Sequence, residues 1–226
     1  SKNFCINGNC PSTGDNAEYI LIDGCDVTGC QNGIDAGNGS NNPALGQFDH
    51  FLVQNCAIHD GGTGGSQCYG ILGTCVKRYV LRDCIFYNLE HADLSLGDPG
   101  ARLEVYRNRF WKQSASNSPS IMNLLPGQTG CFRDNVFVCA AAPGTNQSVV
   151  NIPGATISSF IFERNQYWAP ALMFGGLVKP FRDTSSAKRL AMEEWLTIFP
   201  NDGPYENPLD EDQAEGRFGR VQESSR

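Results

Sequence analysis

Six copies of one short phrase recur along the 226 residues, and their spacing restricts the fold more than any compositional feature does. Ile20-Leu21-Ile22-Asp23-Gly24-Cys25-Asp26-Val27 is matched by Phe51-Leu52-Val53-Gln54-Asn55-Cys56-Ala57-Ile58 and by Tyr79-Val80-Leu81-Arg82-Asp83-Cys84-Ile85-Phe86. An asparagine then replaces the cysteine in Leu103-Glu104-Val105-Tyr106-Arg107-Asn108-Arg109-Phe110, Gly130-Cys131-Phe132-Arg133-Asp134-Asn135-Val136-Phe137 and Phe160-Ile161-Phe162-Glu163-Arg164-Asn165-Gln166-Tyr167. These anchors, at 25, 56, 84, 108, 135 and 165, are separated by 31, 28, 24, 27 and 30 residues. Such intervals are too long for a hairpin meander and suit a coil of several short strands. Apolar residues sit five and three before each anchor and two after it, the alternation of a half-buried strand on either side of a turn.

A second strand signal follows each anchor, as Gly33-Ile34-Asp35-Ala36-Gly37, Tyr69-Gly70-Ile71-Leu72-Gly73, Ala92-Asp93-Leu94-Ser95-Leu96-Gly97, Ile121-Met122-Asn123-Leu124-Leu125, Val149-Val150-Asn151-Ile152 and Ala171-Leu172-Met173-Phe174. Repeating strands with no helical period between them predict an all-β chain, a single-stranded right-handed parallel β-helix (solenoid) of about six coils. Stacked about 4.8 Å apart, the coils would rise roughly 29 Å. An antiparallel sandwich also joins short strands by turns, but it gives no reason for equivalent positions to recur copy after copy.

Stacking gives the anchor row a physical meaning. An inward asparagine at a tight turn can satisfy backbone groups and bond the amides above and below it, so Asn108, Asn135 and Asn165 are expected to form a ladder. Cys25, Cys56 and Cys84 would continue that row as small buried thiols. They are expected to stay free, because neighbouring rungs hold Cβ atoms about 4.8 Å apart whereas a disulfide prefers roughly 3.8 Å. The other seven of the ten cysteines cannot all pair among themselves, and their connectivity is open. With three histidines and no Cys-x-x-Cys, the sequence assigns no zinc site and no metal ligand.

Seventeen basic against 24 acidic side chains leave a net charge of −7, which argues against nucleic acid as a partner, since phosphate binding needs clustered lysine and arginine. No apolar run approaches the roughly 18 residues of a membrane span, and no basic start with an apolar stretch marks a signal peptide.

The Asn-x-Phe phrases at Asn108 and Asn135, the related Asn165 copy, the cysteine versions at Cys25, Cys56 and Cys84, and the Gly-Ile second strands together resemble the secreted right-handed parallel β-helix repeat proteins of the pectate-lyase-like superfamily. The resemblance covers residues 18–176 and implies an extracellular or cell-surface location. It is specific for the fold and nearly silent about activity, since similar proteins include lyases, hydrolases, epimerases, phage tailspikes and adhesins. The signature motifs of pectate lyases, galacturonases and mannuronan epimerases are not found here.

Candidate site residues come from rows that the coils would align. Three positions past the anchors stand Thr28, His59, Tyr87, Trp111, Val138 and Trp168. His59, Tyr87, Trp111 and Trp168 would either stack on sugar rings or lie beneath the C-terminal segment. His91, flanked by Glu90 and followed by Asp93, is the best acid or base cluster. Asp35, Asn123 and Asn151, with Ser95, are expected to project outward from the second strand as substrate contacts or as an ordinary solvated face. Longer insertions after His59, Lys112 and Cys139 would wall a groove on one side of the stack. If the chain acts on a uronate, calcium is the cofactor left open, though no calcium loop is present.

After residue 180 the pattern changes. Asp183-Thr184-Ser185-Ser186 is expected to cap a helix that runs to Pro200 and covers the final rung or the side of the stack. The organisation that follows is a segment over 1–17 that could end a missing coil, the β-helix over 18–180, and a capping helix with an acidic extended tail over 181–226. Two functional classes remain: an extracellular protein that binds or cleaves a polysaccharide along a lateral groove, and a non-catalytic structural or adhesive solenoid. The second would use Leu21, Leu52, Val80 and Ile161, four before their anchors, as an outward apolar row for oligomerisation.

Overall fold

Three sheets wrap one interior in the computed structural model, which describes residues 4–8, 17–30, 32–37, 48–61, 69–74, 76–89, 92–96, 98–112, 120–140, 148–170, 172–174 and 177–203. Sheet A runs through Phe4–Gly8, Asn32–Ala36, Tyr69–Gly73, Leu94–Leu96, Ser120–Asn123, Ser148–Ile152, Phe181–Asp183 and Arg189–Leu190. Sheet B stacks Ala17–Asp23, Phe48–Gln54, Arg78–Arg82, Arg102–Tyr106, Thr129–Arg133 and Phe160–Glu163. Sheet C stacks Asp26–Thr28, Ala57–Gly61, Ile85–Leu89, Arg109–Lys112, Val136–Cys139 and Gln166–Trp168. Successive strands pair in parallel, except for the final antiparallel pair in sheet A. The all-β parallel solenoid expected from the repeat is the fold, with one strand from each copy in sheets B and C.

The register explains the alternation. Ile22, Val53, Leu81, Val105, Phe132 and Phe162, three before the anchors, form one buried column. Two after the anchors, Val27, Ile58, Phe86, Phe110, Phe137 and Tyr167 form another. The last four rings stack with centroids 4.9, 5.0 and 5.2 Å apart, so each covers the faces of its neighbours.

A turn joins each strand of sheet B to its partner in sheet C. The residue before every anchor is left-handed there: Gly24, Asn55, Asp83, Arg107, Asp134 and Arg164 have φ between 52° and 65°. This bend turns the anchor inward. Asn135 Oδ1 accepts the Asn108 backbone N–H at 3.0 Å and its Nδ2 at 3.1 Å, and Asn165 Oδ1 does the same for Asn135 at 3.0 and 2.9 Å. Each amide also donates to the carbonyl of the preceding rung, at Leu81, Val105 and Phe132. The ladder therefore satisfies polar backbone groups that the interior would otherwise strand.

Cys25, Cys56 and Cys84 occupy the same row as free thiols, and Cys131 and Cys139 are free as well. Cys30 is disulfide-bonded. Residues 10, 68 and 75 lie outside the described residues.

Two expectations fail at the C-terminal end. Ala171–Phe174 does not supply the sixth strand of sheet A; Met173–Phe174 instead pairs antiparallel with Leu177–Val178, and Phe181–Asp183 joins the sheet. Gly175-Gly176 separates the paired strands in sequence, and such a dipeptide favours a two-residue hairpin over a continuing strand. The helix is also shorter than its apolar spacing predicts, spanning Met192–Ile198. Asp183 accepts from the Ser185 N–H and the Ser186 hydroxyl, which closes a turn rather than capping a helix, and Leu190 then pairs back with Phe181. Glu194 reaches back to the Ala191 N–H at 2.9 Å and starts the helix there. Trp195 stacks on Phe181 at 3.8 Å and meets Phe162 edge-on at 4.9 Å, so the helix covers the final rung.

Candidate functional site

The outer face of sheet B carries a cavity of about 480 Å³ lined by Arg102, Glu104, Tyr106, Arg107, Cys131, Arg133, Asp134, Ile161 and Arg164. Strand alternation builds it. Side chains two and four before the anchors face outward, and the left-handed residue beside each anchor adds a third row. Charges in that third row alternate by rung. Asp83 accepts two bonds from Arg107 at 2.7 and 2.8 Å, and Asp134 accepts two from Arg164 at 2.8 and 2.9 Å. Arg102 and Arg133 pair with Glu104 and Glu163, each at 3.0 Å.

These contacts fix protonation states. The hydrogen bonds from Arg107 and Arg164 hold Asp83 and Asp134 below the usual carboxylate range, and the same bonds push both guanidiniums upward. Burial pushes the Cys131 thiol up, toward its neutral form. A guanidinium has five N–H donors, and a two-bond carboxylate pair leaves three of them for another acceptor. Four guanidiniums thus line a concavity on a chain of net charge −7, each paired with a carboxylate, Glu104, Asp83, Glu163 or Asp134. Such an arrangement can hold an anion through the guanidinium N–H groups that the ion pairs leave over. Its fixed charges are less suited to moving a proton.

The residues singled out from sequence fall elsewhere. His59, Tyr87, Trp111 and Trp168 do form one outward row on sheet C, with Val138 in it. His59 stacks on Tyr87 at 4.4 Å with planes 6° apart, and Asp26 and Asp60 each lie 2.7 Å from one of its ring nitrogens. Trp111 and Trp168 pack on the buried Val138 as an apolar cluster separate from the main core. The C-terminal helix caps the end of the stack rather than this row, and residues 204–226 lie outside the described residues.

Asp35, Asn123 and Asn151 share a row on sheet A, in register through Leu72 and Ser95. That row is not a freely solvated face. Asp35 and Asn151 are buried, Asn151 donates to Asn123 at 2.8 Å, and Ser120 and Ser148 donate to the two amide oxygens at 2.5 and 2.6 Å. Asp93 lies at 0% exposure, and its two carboxylate oxygens have no hydrogen-bond partner among the described residues. Burial pushes it up to about 7, with the charge of Lys112, itself 1% exposed, opposing that rise. A carboxyl so placed belongs to the interior. His91 and Glu90 lie outside the described residues, as do most of the inserted loops at 62–68, 113–119 and 141–147.

The groove on sheet B was missed because each of its residues looks like ordinary strand or turn surface. Its signal was present one position before the anchors, where Asp83, Arg107, Asp134 and Arg164 alternate in sign over four successive copies.

The outward apolar row is also interrupted. Leu21, Leu52 and Val80 are adjacent, but Glu104 and Cys131 separate them from Ile161. Among the described residues, no helix is long and apolar enough to cross a membrane.

Parallel strands repeated around one interior, with an amide ladder at one turn, define a parallel β-solenoid. More specifically, the family model for the right-handed β-helix region matches residues 12–175, and the chain belongs to that family. No curated protein and no solved structure shows significant similarity to it.

Proposed function

We propose that this protein binds an anionic polysaccharide outside the cell, along the guanidinium-lined groove of sheet B. The observation that carries this reading is the concave cluster of Arg102, Arg107, Arg133 and Arg164 on an otherwise acidic chain. Arg107 and Arg164 stand two rungs apart, about 9.6 Å on the strand spacing, so an extended chain bearing repeated carboxylate or sulfate groups could meet both. The Cys30 disulfide supports an oxidising, extracellular setting. Fixed ion pairs and a protonated thiol favour retention of the glycan over its cleavage.

The test is affinity electrophoresis or calorimetry with polygalacturonate, alginate and a neutral glucan over a salt series. Acidic glycans should bind, with affinity falling as salt rises. Replacing Arg107 and Arg133 together by alanine should weaken binding at least tenfold. Equal binding of the neutral glucan, or an unchanged affinity in the double variant, would overturn the reading. A second reading, an adhesive solenoid, is favoured by Tyr19 and Leu21, which are 71% and 60% exposed on the terminal strand of sheet B.

A further inference from the structure

Each of the four cavity arginines is bonded to a carboxylate, and a fifth arginine one rung outside the cavity is not. Arg82 stands in register with Tyr106, which in turn faces Arg133, so the three form one outward row on sheet B. The Arg82 Nε and Nη2 both donate to Gln54 Oε1, the former at 2.8 Å. That acceptor is a neutral amide. The charge of Arg82 reaches Asp23 and Asp83, but among the described residues other partners hold both carboxylates. Asp23 accepts from Gln54 Nε2 and Asn55 Nδ2, each at 2.8 Å, and Asp83 accepts from Arg107.

The orientation of Gln54 follows from those bonds. A carboxylate only accepts, so Asp23 takes the amide nitrogen and leaves the oxygen turned to Arg82. Two of the five guanidinium donors go to that oxygen, and three remain, two on Nη1 and one on Nη2. They include the Nη1–Nη2 edge, which a carboxylate or sulfate can engage with two parallel bonds. Arg82 is half-buried, and a charged hydrogen bond gains more on such a partly dried face than in open water.

We infer that Arg82 anchors an acidic group of the bound glycan and sets the preference for charged over neutral sugars, with Gln54 as its positioning residue. The inference rests on the glycan-binding reading of sheet B and carries the groove one rung beyond the cavity. An acidic group at Arg102 or Arg164 competes with Glu104 or Asp134, whereas none of the described carboxylates has to be displaced from Arg82. Tyr106 lies on the next rung with the Arg107 guanidinium carbon 5.2 Å from its ring centroid, so the sugar that follows meets a ring and a second cation.

The test compares single variants of the full chain for polygalacturonate binding by calorimetry over a salt series, with urea midpoints measured alongside. Arg82→Gln should weaken binding about tenfold or more and flatten its salt dependence. Arg102→Gln, which removes a guanidinium already paired with Glu104, should cost no more than about threefold. Gln54→Glu gives Arg82 the carboxylate that its neighbours have, and should weaken binding as much as Arg82→Gln does while the guanidinium stays in place. Should Arg82→Gln lower the midpoint, Gln54→Glu carries the test. Gln54→Met removes the amide without adding charge and should preserve the salt dependence. An affinity that survives Arg82→Gln or Gln54→Glu, a larger loss in Arg102→Gln than in Arg82→Gln, or equal losses in Gln54→Met and Gln54→Glu would overturn the role of Arg82 and leave the groove reading standing. A wild-type chain that binds no acidic glycan would remove both.

Discussion

Asp202 stands to Asn165 as Asn165 stands to Asn135. Its Oδ1 accepts the Asn165 backbone N–H at 3.0 Å and the Asn165 Nδ2 at 2.8 Å, the same two bonds that Asn165 Oδ1 accepts from Asn135. Its other oxygen accepts the Tyr167 hydroxyl and the Trp195 indole N–H, each at 2.8 Å. A carboxylate is an acceptor only, so it can close a ladder but cannot extend one. The C-terminal segment therefore ends the amide ladder and holds the capping helix through one side chain.

Asp202→Ala should cost roughly 3 kcal/mol or more, because it strands buried donors on Asn165, Tyr167 and Trp195 at once. Asp202→Asn should cost less, since its amide oxygen keeps part of the set. Urea unfolding measures both. A loss below about 1 kcal/mol for the alanine variant would show that the cap is dispensable.

The interior ring column gives a second expectation. Phe137 is fully buried between Phe110 and Tyr167, and Phe137→Ala should destabilise the fold by roughly 3 to 5 kcal/mol. Phe110→Ala should behave alike. Denaturant midpoints should fall with little change in slope, because the surface exposed on unfolding is nearly the same.

The ladder and both buried columns were legible in the sequence because a stacked coil forces equivalent positions into equivalent environments. Where a position's role depends on something outside its own repeat, the sequence was mute. Leu190 follows the helical spacing that Trp195 also follows, yet its pairing with Phe181 keeps it in a strand. Asn151 has the pattern of an outward polar residue, but its amide is bonded to Asn123 and Ser148, so outward in register does not mean open to water. Asp93 reads as part of an acid–base cluster because His91 is near in sequence, whereas the chain turns its carboxyl into the coil. The groove needs four arginines from three rungs, and no single copy announces it.

Asp93 should impose a pH dependence on stability. Its ordinary value is about 3.9, and burial raises it to about 7 in the folded chain. Between those values the folded state holds a proton that the unfolded state has lost, so stability is complete below about pH 4 and falls as pH rises toward 7. The slope is at most about 1.4 kcal/mol per pH unit. Asp83 and Asp134, held low by their arginines, act in the opposite sense and only at lower pH. Urea midpoints from pH 4 to 8 should decline in the wild type and flatten in Asp93→Asn, whatever the absolute stability of that variant. Parallel profiles would remove the buried acid as the cause.

Arg107→Gly separates the groove's charge from the fold's geometry. Arg107 is left-handed at φ 57°, which costs an L-residue roughly 1 kcal/mol and costs glycine almost nothing. Its two bonds to Asp83 are exposed, and a solvent-screened pair of that kind contributes little. The two effects oppose each other, so the unfolding midpoint should change little. Binding of an acidic glycan should still weaken severalfold, because the lost guanidinium leaves Asp83 unpaired beside the groove. Measured together, an unchanged midpoint and a weaker, less salt-sensitive interaction would place the role of Arg107 in recognition. A large loss of stability would instead make the Asp83–Arg107 pair a strut of the turn, and an unchanged affinity would move the glycan away from this face.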